Sequence, residues 1–213
     1  MPISRRLLQA SVLGLILLLA ESNALAQDSE LFALKNRWEN ITTQTPPDSR
    51  AAALEALASD AAALAQRFPG DADVLTWHGI VLASQARAEG GLDALGLAKE
   101  AREVLERAIE IDPRGSNASA YVTLGALYHR APGWPLAFGD SDTAEAMFQR
   151  ALEIRPQGID VNYYYAAFLA DEGRDAQAAE HARRAMSGEV REGREASDAA
   201  LRDEARALLE SLE

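Results

Sequence analysis

Two stretches decide the reading: Ala101 to Pro113, AREVLERAIEIDP, and Ala144 to Pro156, AEAMFQRALEIRP. Each opens on alanine and places a bulky apolar residue four positions later, Leu105 or Phe148. Alanine follows after three more, Ala108 or Ala151, and proline after a further five. Apolar residues at i, i+4 and i+7 lie on one face of a helix, so each stretch predicts an amphipathic helix stopped at its proline. Proline lacks the N–H a helix interior needs and restricts the residue before it, so Pro69, Pro113 and Pro156 all read as helix ends.

A second helix precedes each of these. Its marks are Leu75–Gly79–Leu82 in one copy and Tyr121–Gly125–Tyr128 in the next. A further copy runs from Asn162 through Ala166 and Leu169 to Gly173, Ala178, Ala182 and Ala185. The small residues Gly79, Gly125 and Ala166 allow two helices to approach closely, and the large residues nearby fill the space alongside. This pattern resembles the tetratricopeptide repeat, a helix–turn–helix unit of about 34 residues. The resemblance implies an all-α solenoid of about four stacked hairpins with a C-terminal capping helix.

The spacing departs from the family in two places. Gly79 to Ala101 and Gly125 to Ala144 exceed the family interval by 10 and 7 residues, which predicts inserts at the turns within those two hairpins. The first contains Gly90-Gly91, read as its turn. The copy from Asn162 keeps the family interval, with its turn at Gly173. Upstream, Leu31, Phe32, Leu34, Trp38 and Ile41 form a helical stripe, Pro46-Pro47 breaks it, and 50–68 returns as an alanine-rich helix. The expected organisation is a leader over 1–26, a degenerate N-terminal hairpin over 27–70, repeats with inserts over 71–187, and a cap over 188–213. Leu201, Ala205, Leu208 and Leu209 are the cap's apolar face, expected to cover the last repeat.

The leader reading rests on Arg5-Arg6, the uncharged stretch Leu7 to Ala20, and Ala24-Leu25-Ala26. A basic flank, a short apolar core and small residues at −3 and −1 predict a secretory signal cleaved after Ala26. Fourteen helical residues span about 21 Å, short of the roughly 30 Å hydrocarbon core, which disfavours a retained span. Uncleaved, the segment would be an N-terminal anchor, the one membrane contact expected. The absence of cysteine removes disulfides, thiolate metal sites and lipidated cysteine, and with export it suggests a periplasmic protein.

Composition excludes further classes. With 33 acidic against 21 basic residues the net charge is −12, unsuited to nucleic acid or to charge-driven docking on anionic lipid. Aromatics are 6% of the chain, too few for a β-sandwich. There is no P-loop, no G-x-G-x-x-G, no G-x-S-x-G elbow and no histidine spacing for a metal, so neither cofactor nor metal is expected, nor an enzyme.

The most informative local feature is the second insert, His129 to Asp140, HRAPGWPLAFGD. Proline and glycine constrain its backbone, and Asp140 is placed to cap the next helix. It either presents Trp134 and Phe138 to a ligand or tucks both onto the neighbouring hairpin. Pro132-Gly133-Trp134-Pro135 with Gly139-Asp140, followed at once by a repeat helix, also resembles the insert in T-component proteins of TRAP-type transporters. That resemblance implies an exported helical protein enclosing a small, partly apolar molecule and associating with substrate-binding proteins.

The resulting expectation is a non-enzymatic scaffold holding a protein, peptide or small ligand on its concave face and the 131–140 loop. Its candidate residues are Thr76, Val122, His129, Trp134, Phe138 and Tyr163. By the repeat register Tyr165 packs inside its hairpin while Tyr163 faces the groove. His129 is placed either to donate to an acidic ligand or to sit as a cation at its helix C-terminus. His78, where the family usually has leucine, is expected to be a hydrogen-bonded interhelical residue, and His181 a solvated one.

Overall fold

A computed structural model describes residues 26–212; the expected leader, apart from Ala26, lies outside them. Within that span the chain runs α1 (26–44), α2 (Pro47–Arg67), α3 (Ala72–Glu89), α4 (Asp93–Ile111), α5 (Ser119–Arg130), α6 (Ser141–Ile154), α7 (Ile159–Asp171), α8 (Asp175–Ser187) and α9 (Glu195–Ser211). Among the described residues there is no strand, only an isolated bridge between Gly133 and Gly139. Four antiparallel hairpins stack in order, and α9 packs on α7 and α8. Helices α3, α5 and α7 lie side by side as an inner layer, and their partners α4, α6 and α8 lie outside it.

The prolines act as the sequence predicts. Helices α2, α4 and α6 each stop two residues before proline. Phe68, Asp112 and Arg155 leave the helical region there, with φ near −126°, −139° and −138°. The glycines fit equally well. A Cβ on Gly79 would lie 2.5 Å from Leu105 Cγ, and one on Gly125 would lie 2.7 Å from Phe148 Cε1. The repeat's glycine therefore exists to admit the large residue of the facing helix, which is fully buried in both copies.

The first insert differs from expectation. It is not a loop at the turn. The extra residues lengthen both helices, so α3 has 18 residues and α4 has 19, against 13 each for the family-spaced α7 and α8. Five or six more residues at about 1.5 Å each push the tip of this hairpin roughly 8–9 Å beyond its neighbours. The run between Ile80 and Glu100 is rich in alanine and leucine, good helix formers; Gly90-Gly91 breaks it, while the single Gly96 is carried within α4. Both glycines take positive φ, 65° and 68°, which makes the tight reversal.

The second insert is a loop, closed on itself. Gly139 N donates to Pro132 O at 2.9 Å and Asp140 N to Tyr128 O at 3.0 Å. Asp140 then caps α6, accepting from Thr143 N at 2.7 Å.

Candidate functional site

The chain returns on itself. The connection between α8 and α9 crosses the concave side of the stack and meets α1. Ser197 N donates to Glu39 Oε1 at 2.7 Å, and Arg194 Nε lies 3.2 Å from Glu39 Oε2. The Arg194 guanidinium stacks 4.3 Å from the Trp38 ring centroid and 5.3 Å from that of Trp77, while the two indoles meet edge to face. Burial and the neighbouring Arg191 push the Arg194 pKa down to about 10, so it is still charged at neutral pH.

A second cluster anchors the other end of the connection. Arg191 Nη1 donates to Asp160 Oδ2 at 2.7 Å, and its backbone N–H donates to Asp198 Oδ2 at 2.9 Å. Its guanidinium also forks onto Asp198, and Arg155 reaches Asp160 Oδ1 at 2.6 Å. Burial alone would raise the Asp160 pKa; Arg191 and Arg155 outweigh it and hold the carboxyl below its ordinary value. The connection is therefore pinned at both ends by charge pairs taken largely out of water.

Between this strap and the inner helices lies a cavity of about 650 Å³, within the range of small-molecule sites. Leu54, Ile80, Val122, Leu127 and Leu201 give it apolar walls. The lengthened tip of the α3–α4 hairpin, including Arg87, Leu92 and Ala98, forms one side, so the first insert builds the wall. Five arginines reach the lining, 50, 87, 130, 191 and 194, against the acidic Asp160 and Glu204.

The candidate residues do not converge here. Val122 lines the cavity. Thr76, in the same inner layer, is 2% exposed within the packing of α3. His129 leaves the groove register: Nε2 lies 2.9 Å from Asp171 Oδ2 and the ring meets Phe168 edge to face. Phe138 tucks down, edge to face with Tyr128 and beneath Arg102 at 4.7 Å. Trp134 points the other way and is 89% exposed, so the loop divides its two aromatics between packing and solvent. Tyr163 lies against Tyr164, its pKa raised first by burial and then by the nearby Glu204 carboxylate on α9. Its neighbour Tyr164 lines the cavity, with Arg130 5.2 Å from its ring. Because α9 packs on α7, the register that aims Tyr163 at an open groove leaves it half-buried beside the cap.

Two histidine expectations also change. His78 is buried, and its Nε2 has no hydrogen-bond partner. His181 is not a free surface group: Nδ1 lies 2.8 Å from Asn162 Oδ1 and the ring meets Tyr165 at 4.7 Å. Tyr165 does pack inside its hairpin, against Phe148 and Phe168. The strap residues Glu39, Arg191 and Arg194 carry no sequence signal, since arginine and glutamate in a helical protein ordinarily read as a solvated face. Among the described residues, no group of histidine and carboxylates is arranged to hold a metal, and no helix is long and apolar enough to cross a membrane.

No protein-family model matches the sequence, and comparison with curated proteins finds no significant relative. Solved structures do align. A thermophilic TPR protein of Thermus thermophilus, TTC0263, superposes with a TM-score of 0.58 at 19% identity, covering 89% of this chain and 94% of that one. This chain has a tetratricopeptide-repeat-like fold. A protein named MamA aligns more loosely, with a TM-score of 0.47 at 17% identity over 78% of this chain and 90% of its own.

Proposed function

We propose that this protein is an exported, non-enzymatic binding protein that holds a small, partly apolar ligand on its concave face. The observation that carries the reading is the strap: Arg191 to Ser197 crosses the groove an extended peptide would need and leaves a cavity of ligand size beneath it. An open solenoid recognises chains lying along its groove, whereas a closed one favours molecules that fit inside. The basic-flanked leader supports a periplasmic setting, and the loop's resemblance to T-component proteins supports a transport-accessory role there.

Native mass spectrometry of the protein incubated with a cell extract tests this. One small-molecule adduct per chain is expected, lost in Ala126→Trp, which fills the cavity between α5 and its neighbours. An unliganded spectrum from the natural chain, with equal capture of peptides by both forms, overturns it.

A second reading concerns protein partners. Trp134 and Leu136 are 89% and 75% exposed on a loop held rigid by its own hydrogen bonds. Preordered aromatics of this sort are effective anchors at protein interfaces. Trp134 and Leu136 lie outside the cavity lining, while Ala131 and Pro132 of the same loop reach it, so the two readings are compatible.

A further inference from the structure

The charges around the cavity are unevenly matched. Arg191 is neutralised by Asp160 and Asp198, and Arg194 by Glu39. Glu204 is the one lining carboxylate with no cation within ion-pair distance among the described residues, so it offsets only one of the remaining arginines. Among the described residues Arg50, Arg87 and Arg130 have no carboxylate within ion-pair distance. For Arg87 and Arg130 a structural explanation exists, since each lies in the last turn of its helix, where a cation meets the negative end of the dipole. Arg50 has no such explanation. It stands in the first turn of α2, at the positive end, one Nη2 donates to Thr45 O at 3.0 Å, and its Nε is buried without an acceptor. Arg87 and Arg130 are exposed and hydrated, so the buried Nε of Arg50 is the group that costs free energy unless an acceptor on a ligand reaches it.

We infer that the ligand is a small amphipathic carboxylate, its head on the guanidinium groups of Arg50 and Arg130 and its apolar body against Leu54, Val122 and Leu127. This rests on the small-ligand reading above and names its chemical class. Guanidinium forks match a planar carboxylate in geometry as well as charge, and the apolar walls cannot recompense a second charge. The protein's net charge of −12 makes the local sign reversal at this lining specific to the site rather than a property of the surface.

Isothermal titration calorimetry with three eight-carbon probes of similar shape tests the inference: octanoate, neutral octanamide and octylammonium. Octanoate is expected to bind one per chain, octanamide at least tenfold more weakly, and octylammonium without measurable heat. R50Q should weaken octanoate at least tenfold and leave octanamide unchanged. Arg130 is exposed, so R130Q, whose fold is not at risk, should shift octanoate in the same direction. Octanamide binding as tightly as octanoate would overturn the carboxylate assignment while the small-ligand reading stood. No saturable binding of octanoate would also overturn it, and the adduct experiment above then judges the wider reading separately.

Discussion

Glu39 and Ser197, 158 positions apart, are joined by a 2.7 Å hydrogen bond from the Ser197 N–H to the carboxylate. The same carboxylate faces Arg194, which in turn stacks on Trp38, the residue preceding Glu39 in α1. Stacked repeats normally touch only their neighbours, which leaves a solenoid's two ends independent. Here the last connection ties to the first helix, so the two ends of the stack are in direct contact.

Removing the carboxylate leaves Arg194 largely buried beside Arg191 with no carboxylate in direct contact, Asp160 and Asp198 acting only from further away. Glu39→Ala should cost about 3 kcal/mol, at the lower edge for breaking a buried pair because the pair keeps some solvent contact. Hydrogen exchange checks the location of the effect: amides of 189–200 should lose protection, while those of α5 to α8 keep theirs. Uniform loss of protection throughout would show that the strap and the stack do not open separately.

The Gly79–Leu105 contact makes a second prediction. Gly79→Ala puts a methyl 2.5 Å from Leu105 Cγ, an overpacking that should cost about 2 kcal/mol. In a Leu105→Ala background the same methyl occupies vacated space, so its cost should fall or reverse. A double-mutant cycle from urea denaturation measures this coupling, expected to exceed about 1 kcal/mol. Additive effects would mean the two helices separate readily and that the glycine is not needed for their approach. Gly125 with Phe148 should behave alike.

That pair also marks how far the sequence can be read. Glycine, the large residue facing it and the closing proline act within one hairpin, over intervals the repeat makes periodic, so they are legible from Leu105, Phe148 and the three prolines alone. The lengthened α3–α4 hairpin departs from a turn insert because repeat length is not fixed by packing; the helix-forming run on both sides of Gly90-Gly91 is the signal for longer helices. The strap is not legible. Arg191, Arg194 and Glu39 are ordinary surface residue types, and their meaning comes from a contact over most of the chain. Nor can register alone place Tyr163, because it assumes an open groove, whereas α9 packs beside it.

Trp134 supplies a third prediction. At 89% exposure it contributes almost nothing to packing, so Trp134→Ala should leave stability within the scatter of surface substitutions, about 0.5 kcal/mol. Octanoate affinity should also stay unchanged, because the side chain lies outside the cavity lining. A pull-down of partner proteins should by contrast weaken. Phe138→Ala, which removes the ring packed between Tyr128 and Arg102, should lower the melting temperature clearly. Similar thermal effects from the two substitutions would erase the division of the loop into a packed and a presented aromatic.

Acid should act in two stages, through different groups. His78 and His181 both have pKa values lowered by burial, so the unfolded chain binds protons there before the folded one does. Stability should therefore begin to fall as pH drops below the ordinary histidine value of about 6.5, by at most about 1.4 kcal/mol per pH unit for each group. His78→Leu, which restores the residue type usual in the repeat and removes a buried nitrogen with no partner, should flatten this first stage and leave stability at pH 7 equal or higher. Asp160 works the opposite end. Its carboxyl is held below its ordinary value, so its contribution is complete above the unfolded carboxylate range and is lost only as pH falls through the lower folded value. Asp160→Asn should cost about 3–5 kcal/mol at pH 7 by leaving Arg155 and Arg191 facing one another, and should remove part of the steep loss below about pH 4. Thermal denaturation from about pH 7.5 to about pH 3 separates the stages. A His78→Leu curve parallel to that of the natural chain between about pH 7 and about pH 5 would show that the buried imidazole is not what makes this protein sensitive to mild acid.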